Sequence, residues 1–215
     1  TPLRPSEAVD LNVFSLKSER ETPRQERFTD LTDFQNTAKE KITTKTKMVV
    51  IQRSCGYMMR PSLSVDEIGE ICKFVKEINP NCICYVDNCY GEFTDTKEPI
   101  EVGADIIAGS LIKNPGGGIA PTGGYIVGRK DLVELASYRM TSPGMGAELG
   151  ASLANNRLLF QGLFLAPHVV AQAVKSAIFA AAFFDLLGFK TLPAPDTKRN
   201  DIIQAIEMGS KEKLV

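Results

Sequence analysis

Three short apolar runs, "KMVVIQRS", "CICYVDN" and "ADIIAGSLI", limit what this chain can fold into more than any other feature. Each is too short for an ordinary helix, is rich in β-branched residues and lacks clean alternation with polar positions. Such runs read as strands buried on both faces. Between the first two lies "SVDEIGEICKFVKEIN". There Ile68, Ile71, Val75 and Ile78 recur at helical spacing, Ser64 and Glu67 make a capping box, and Asn79-Pro80 stops the helix. A short acidic segment that holds a helical turn precedes the third run. Strands alternating with helices predict an α/β fold: a mainly parallel sheet with helices on both faces. "GGYIVGR" follows the third run too closely for a helical crossover, so it is predicted to pair antiparallel.

The flanks are read more coarsely. Residues 1–28 are polar, charged and weakly periodic, and are expected to be a poorly ordered leader. A short helix is expected over residues 32–42. Another opens at Asp131 in "DLVELASYRM", and "GAELGASLANNRLLFQGLFL" is read as helical. A separate long helix is expected through "PHVVAQAVKSAIFAAAFFDLLG", with Pro167 in its first turn and Gly188 at its C-terminal end. The longest apolar stretch, "SAIFAAAFF", is too short to span a bilayer and gives no reason to expect a membrane. A net charge of −1 with dispersed lysines and arginines gives no case for nucleic acid either. The odd count of five cysteines, without a dense framework, favours a reducing, cytoplasmic compartment. Cys82, Cys84 and Cys89 lack metal-site spacing, so no metal is expected and the first two are read as filling a buried strand. The chain starts at Thr1 and closes on "GSKEKLV", and both ends are expected to be those of a partial chain.

Ligands of open α/β sheets bind beyond the carboxyl ends of the strands. Asp87 ends "CICYVD", and Lys113 follows "ADIIAGSLI". A glycine-rich loop comes next, and it is neither standard phosphate motif. A P-loop lysine follows its glycines, whereas Lys113 precedes them. After Gly116 and Gly118, Pro121 stands where a dinucleotide fingerprint needs glycine. Taken singly, Asp87 reads equally well as a turn residue and Lys113 as a solvated one. Together on one rim they suit a pyridoxal-phosphate site: the amine forms a Schiff base with the cofactor aldehyde, the carboxylate bonds the pyridine nitrogen, and Ser110 reaches the phosphate. Lys113 must be neutral to attack, and burial beside a cation would lower its pKa. Two other readings stay open at this point. One is an α/β binder of a phosphate ligand without covalent chemistry. The other is a serine hydrolase using His168, although that histidine, beside Pro167, reads better as a packing or capping residue.

Longer motifs add a family likeness. "VDNCYGEF" resembles the "VDNT-aromatic" segment of the Cys/Met-metabolism enzymes, which are fold type I pyridoxal-phosphate proteins. With "IQRSCGYMMRPS", "GSLIKNPGGGIAPTGGYIVG" and "QGLFLAPHVV" in the same order, the chain resembles one branch in particular. That branch is the methionine gamma-lyase-like proteins, also called aluminium resistance proteins or cystathionine beta-lyase relatives. The likeness covers about residues 29–215. It implies part of a fold type I large domain over residues 29–165, then a long helix and the start of a truncated small domain over residues 166–215. It implies pyridoxal 5'-phosphate as cofactor, with Lys113 as the Schiff-base lysine, Asp87 as the pyridine-nitrogen partner and Ser110 as a phosphate ligand. It implies carbon–sulfur bond elimination on a sulfur amino acid, in a homodimer or homotetramer.

Arg53, Ser54, Tyr57 and Arg60 lie in the branch's "IQRSxGY...RPS" motif near the site, without assigned roles. Cys55 stands where the branch is expected to carry a basic residue. Family members are expected to be about twice as long. Their further parts would hold a first phosphate-binding loop, a ring-stacking aromatic, an elimination tyrosine and the arginine for the substrate carboxylate. The alternative expectation is an inactive partial homologue, serving if at all as a non-catalytic interaction module.

Overall fold

The computed structural model describes residues 8–10, 31–140, 144–150 and 154–214. The elements are β1 (Ala8–Asp10), α1 (Leu31–Lys41), β2 (Met48–Gln52), α2 (Val65–Ile78), β3 (Ile83–Asp87), β4 (Ile106–Ser110) and β5 (Gly124–Gly128). They continue with α3 (Lys130–Met140), α4 (Asn156–Leu186), β6 (Lys190–Leu192) and β7 (Ala205–Glu207). Strands β1 to β5 form one sheet in chain order. The first four are parallel and β5 runs antiparallel to β4, as the short connection requires. β6 and β7 make a separate antiparallel pair.

Helix α2 forms as its sequence dictates. The Glu67 amide donates to Ser64 Oγ at 3.2 Å, and the Ser64 amide donates to Glu67 Oε2 at 2.8 Å. Its apolar stripe, Ile68, Ile71, Cys72 and Val75, packs on Val49, Ile51, Cys84, Val86 and Ile107 of the sheet. Phe34, Ala38 and Ile42 of α1 and its C-terminal flank extend the same core. A short 3-10 turn, Pro99–Val102, carries the chain from β3 to β4. Gly69 lets that turn close on α2, since a Cβ there would lie 3.0 Å from the Val102 Cβ. Cys82 and Cys84 are wholly buried in this core, and burial pushes the Cys82 thiol up to about 12.

Four differences from the sequence reading stand out. Burial in β2 and β3 alternates: Val49, Ile51, Cys84 and Val86 are buried, while Met48, Val50, Ile83 and Tyr85 are only half-buried. An apolar run tells which side chains can be covered, not which are. Ala8–Asp10, inside the expected leader, adds a parallel edge strand, being too short to show a period; the rest of that leader lies outside the described residues. The two helices expected on either side of Pro167 are one 31-residue helix, α4, and the expected boundary at residues 165 and 166 falls inside it. Proline removes one intrahelical bond, and here that local loss does not end the helix. By length and composition α4 is also sufficient to cross a membrane, which "SAIFAAAFF" alone is not. Its C-terminus is as expected. Gly188 has φ +82°, and the amides of Gly188 and Phe189 donate to the carbonyls of Asp185 and Phe184, a Schellman motif.

Candidate active site

The parallel register sets Asp87, the last residue of β3, opposite Ala108 of β4. Strand β4 continues two residues to Ser110, and the chain then turns so that the Lys113 amide donates to the Ser110 carbonyl at 3.3 Å. Asp87, Ser110 and Lys113 thus stand on one rim, at the carboxyl ends of neighbouring strands. The Lys113 Nζ lies 4.3 Å from the centroid of the Tyr90 ring, and Tyr90 follows Asp87 by three residues. Asp87 Oδ1 accepts from the Cys89 amide at 3.1 Å, which closes the turn that leads to Tyr90. Burial disfavours the charged Lys113 amine, but Cys89 and Tyr90 beside it outweigh burial and its pKa is raised. This reverses the expected lowering, because the neighbours are hydrogen-bonding groups that can carry negative charge rather than a cation. The Cys89 thiol is itself pushed up to about 11 by burial and by Asp87.

The loop after Asp87 is strained and strongly braced. Tyr90 and Phe93 have φ of +70° and +62°, a left-handed conformation that costs a bulky side chain energy and persists only where the surroundings enforce it. Arg53, fully buried, is one brace. It donates to Asn88 Oδ1 at 2.8 Å, Glu98 Oε2 at 3.0 Å and Thr94 Oγ1 at 3.3 Å. Gly91 lies against its guanidinium so closely that any Cβ would collide. Glu92 is a second brace: its Oε1 accepts from the Tyr125 hydroxyl at 2.7 Å, and its backbone carbonyl accepts from Asn114 Nδ2 at 2.9 Å. Burial pushes the Glu92 carboxyl up to about 7 against the opposing Tyr125 bond. Sequence reasoning left Arg53 without a role and missed Glu92 and Tyr125. The available signal was a pair of charged residues within motifs that otherwise place buried backbone.

The rest of the "IQRSCGYMMRPS" motif divides in two. Ser54 and Cys55 are buried, Tyr57 is fully exposed, and Arg60 holds the loop closed by donating to the carbonyls of Gln52, Ser54 and Pro61. The residues near the C-terminus clasp both loops. Asp201 accepts from the Cys55 amide at 3.0 Å, the Ile202 amide donates to the Tyr90 carbonyl at 3.2 Å, and Asn200 accepts from Thr94 Oγ1 at 3.0 Å. His168 lies exposed in the middle of α4, so it neither caps nor packs as expected.

The glycines after Lys113 meet a helix. Gly116 and Gly117 lie in backbone contact with Gly162 of α4, and Gly117 adopts φ +55°. A Cβ on Gly162 would stand 2.8 Å from the Gly116 carbonyl carbon and nearer still to its oxygen. Gly117 and Gly162, lacking side chains, let the turn and α4 meet, whereas a Cβ on Gly116 would strike the Leu111 carbonyl of its own turn.

An amine, a carboxylate and a hydroxyl on one rim form a donor set that fits pyridoxal phosphate: one group for the aldehyde, one for the ring nitrogen and one for a phosphate oxygen.

A family model described as methionine gamma-lyase matches residues 15–215. The uncharacterized protein YnbB of Bacillus subtilis is 57% identical over 174 residues, which are 81% of this chain and 41% of that protein. A candidate cystathionine beta-lyase involved in aluminum resistance from Listeria monocytogenes has a TM-score of 0.86 at 44% identity, covering 99% of this chain and 57% of its own. A carbon-sulfur lyase involved in aluminum resistance from Clostridium novyi has a TM-score of 0.84 at 42% identity, covering 99% of this chain and 55% of its own. The chain spans about half the length of the relatives it matches.

Proposed function

The chain belongs to the methionine gamma-lyase family, and from that premise we propose that it carries the cofactor-anchoring part of a pyridoxal-phosphate-dependent carbon–sulfur lyase acting on a sulfur amino acid. The observation that carries this reading is the placement of Asp87, Ser110 and Lys113 on one rim of the sheet. Lys113 would hold the cofactor covalently through Nζ and, once displaced by the substrate amine, take the proton from the substrate Cα as general base. Asp87 would accept from the protonated pyridine nitrogen and keep its proton in place. Ser110 would donate its hydroxyl to the phosphate. Bound pyridoxal phosphate supplies the electron sink for the carbanion left at Cα. Arg53 and Glu92 touch neither substrate nor cofactor in this scheme; they hold the loop that presents Asp87 and Tyr90. Loss of a thiol from Cβ, as in cystathionine beta-lyase chemistry, would complete the elimination, and loss from Cγ, as in methionine gamma-lyase chemistry, would first require a proton to leave Cβ.

The test adds pyridoxal phosphate to the purified chain, follows its visible absorption, then reduces with borohydride and maps the labelled peptide. A lysine-bound band and a pyridoxyl label on Lys113, both lost in Lys113→Ala, are expected. Absence of the band, or its survival in Lys113→Ala, refutes the reading. Release of ammonia and keto acid from cystathionine or methionine measures turnover directly.

A further inference from the structure

The Tyr90 ring lies over the Lys113 amine, in a backbone conformation that a bulky residue adopts only when held. Three contacts hold it. The Gly91 amide donates to the Asn88 carbonyl at 3.1 Å, the Ile202 amide donates to the Tyr90 carbonyl at 3.2 Å, and Arg53 packs beneath Gly91. The strain is thus maintained from both ends of the chain, and its visible result is an aromatic face turned to an ammonium. An ammonium over a ring face is attracted by the ring quadrupole, while a neutral amine is not.

We propose that Tyr90 is a positioning residue that receives the Lys113 side chain whenever its amine is free, and that its ring face stabilises the amine in the protonated form. This rests on Lys113 acting as proposed above. A base that takes a proton from substrate carbon becomes an ammonium at that moment, and the Tyr90 face is where that ammonium rests. Tyr90 thereby strengthens Lys113 as a base and keeps the newly acquired proton within the site. The hydroxyl of Tyr90 is not required by this role; the ring is. Cys89 and the Tyr90 hydroxyl also face the amine and raise its pKa, so the variants below separate the hydroxyl from the ring.

The test uses cofactor-free protein, so its outcome does not depend on whether cofactor binds. Lys113 is acetylated with trace acetic anhydride at a series of pH values, and its labelling is quantified by peptide mass spectrometry. Tyr90→Phe keeps the ring. Tyr90→Asn removes it and is compatible with a left-handed backbone. In Tyr90→Asn the pH profile of Lys113 labelling moves to lower pH, and labelling below the midpoint is roughly three- to tenfold faster, the order expected for a lost cation–π contact. Tyr90→Phe follows the parent chain. The midpoint, not the plateau, carries the result, because exposing the amine raises only the plateau. An unmoved midpoint in Tyr90→Asn overturns the proposal. A midpoint that moves equally in Tyr90→Phe also overturns it, and Tyr90→Gly, which suits a left-handed backbone, repeats the ring-removing arm where Tyr90→Asn folds poorly.

Discussion

Gly162→Ala is the substitution on which the packing argument is most exposed. In the interior of a helix this exchange ordinarily stabilises by about 0.5–1 kcal/mol, because alanine loses less backbone freedom. Here the added Cβ would stand 2.8 Å from the Gly116 carbonyl carbon. Ordinary carbon contacts are about 3.5–4.0 Å, so helix and turn must part by roughly 1 Å. Neither side can yield by rotating a side chain, since both are backbone. Overpacking of this kind costs about 1–3 kcal/mol and should exceed the propensity gain. The expected net effect is a loss of about 1–2 kcal/mol, or roughly 2–8 °C in Tm for a chain of this size.

Thermal and denaturant unfolding, with the exposed neighbour Gln161→Ala as control, measures it. The control alters the same turn of α4 without the contact and should stay within about 0.5 kcal/mol of the parent. A Gly162→Ala protein that is as stable as the parent, or more so, refutes the claim that this glycine exists for close approach. The displaced turn begins at Lys113, so the yield of borohydride-trapped cofactor on Lys113 should fall as well. Lowered stability with unchanged trapping would leave the packing argument standing and remove the positioning one.

Two further substitutions test the buried polar layer. Glu92 ionises at about 7 when folded and near 4.5 when unfolded, so its contribution is fully present below pH 4.5 and is lost as pH rises through 7. Glu92→Gln should flatten that slope and gain roughly 3 kcal/mol over the parent at pH 8 relative to pH 4, on the order of 1.4 kcal/mol per pH unit, as read by denaturant midpoints across this range; parallel slopes refute it. Arg53→Ala strips the donor from Asn88, Thr94 and the partly buried Glu98 carboxylate. It should cost about 3–5 kcal/mol in the same assay, and a loss under about 1 kcal/mol would show that Arg53 does not brace the loop.

What was legible in the sequence followed from local chemistry. The capping box, the apolar stripe of α2, the Gly188 terminus and the antiparallel β5 are each dictated within a few residues, and each stands as read. Asp87, Ser110 and Lys113 could be placed on one rim because a strand that ends in a polar residue reveals its carboxyl end. Long-range facts were not legible. Nothing near Pro167 tells that a helix runs through it, because the packing that sustains α4 involves Gly116 and Gly117, about fifty residues away. Nothing near Lys113 predicts a raised pKa, because that depends on how the Asp87–Phe93 loop folds over it. The bracing role of Arg53 depends on Asn88, Thr94 and Glu98, which only the tertiary fold brings to it.

These long-range contacts converge on two short turns. One carries Asp87 and Tyr90 and is held by Arg53, Glu92 and the clasp at Asn200–Ile202. The other carries Lys113 and is held by α4 through Gly162. Neither turn is held by its own bonds alone: one keeps bulky residues at positive φ, and the other has glycines that would otherwise be free. The amine and the carboxylate therefore sit on segments positioned from three separate parts of the chain, each set by backbone or fully buried groups that allow little play. A rim built this way holds its reactive groups in place before any ligand arrives, as a site that must present an amine and a carboxylate to one small molecule requires. It also means that the substitutions most damaging to the chemistry include some that touch none of the reacting atoms.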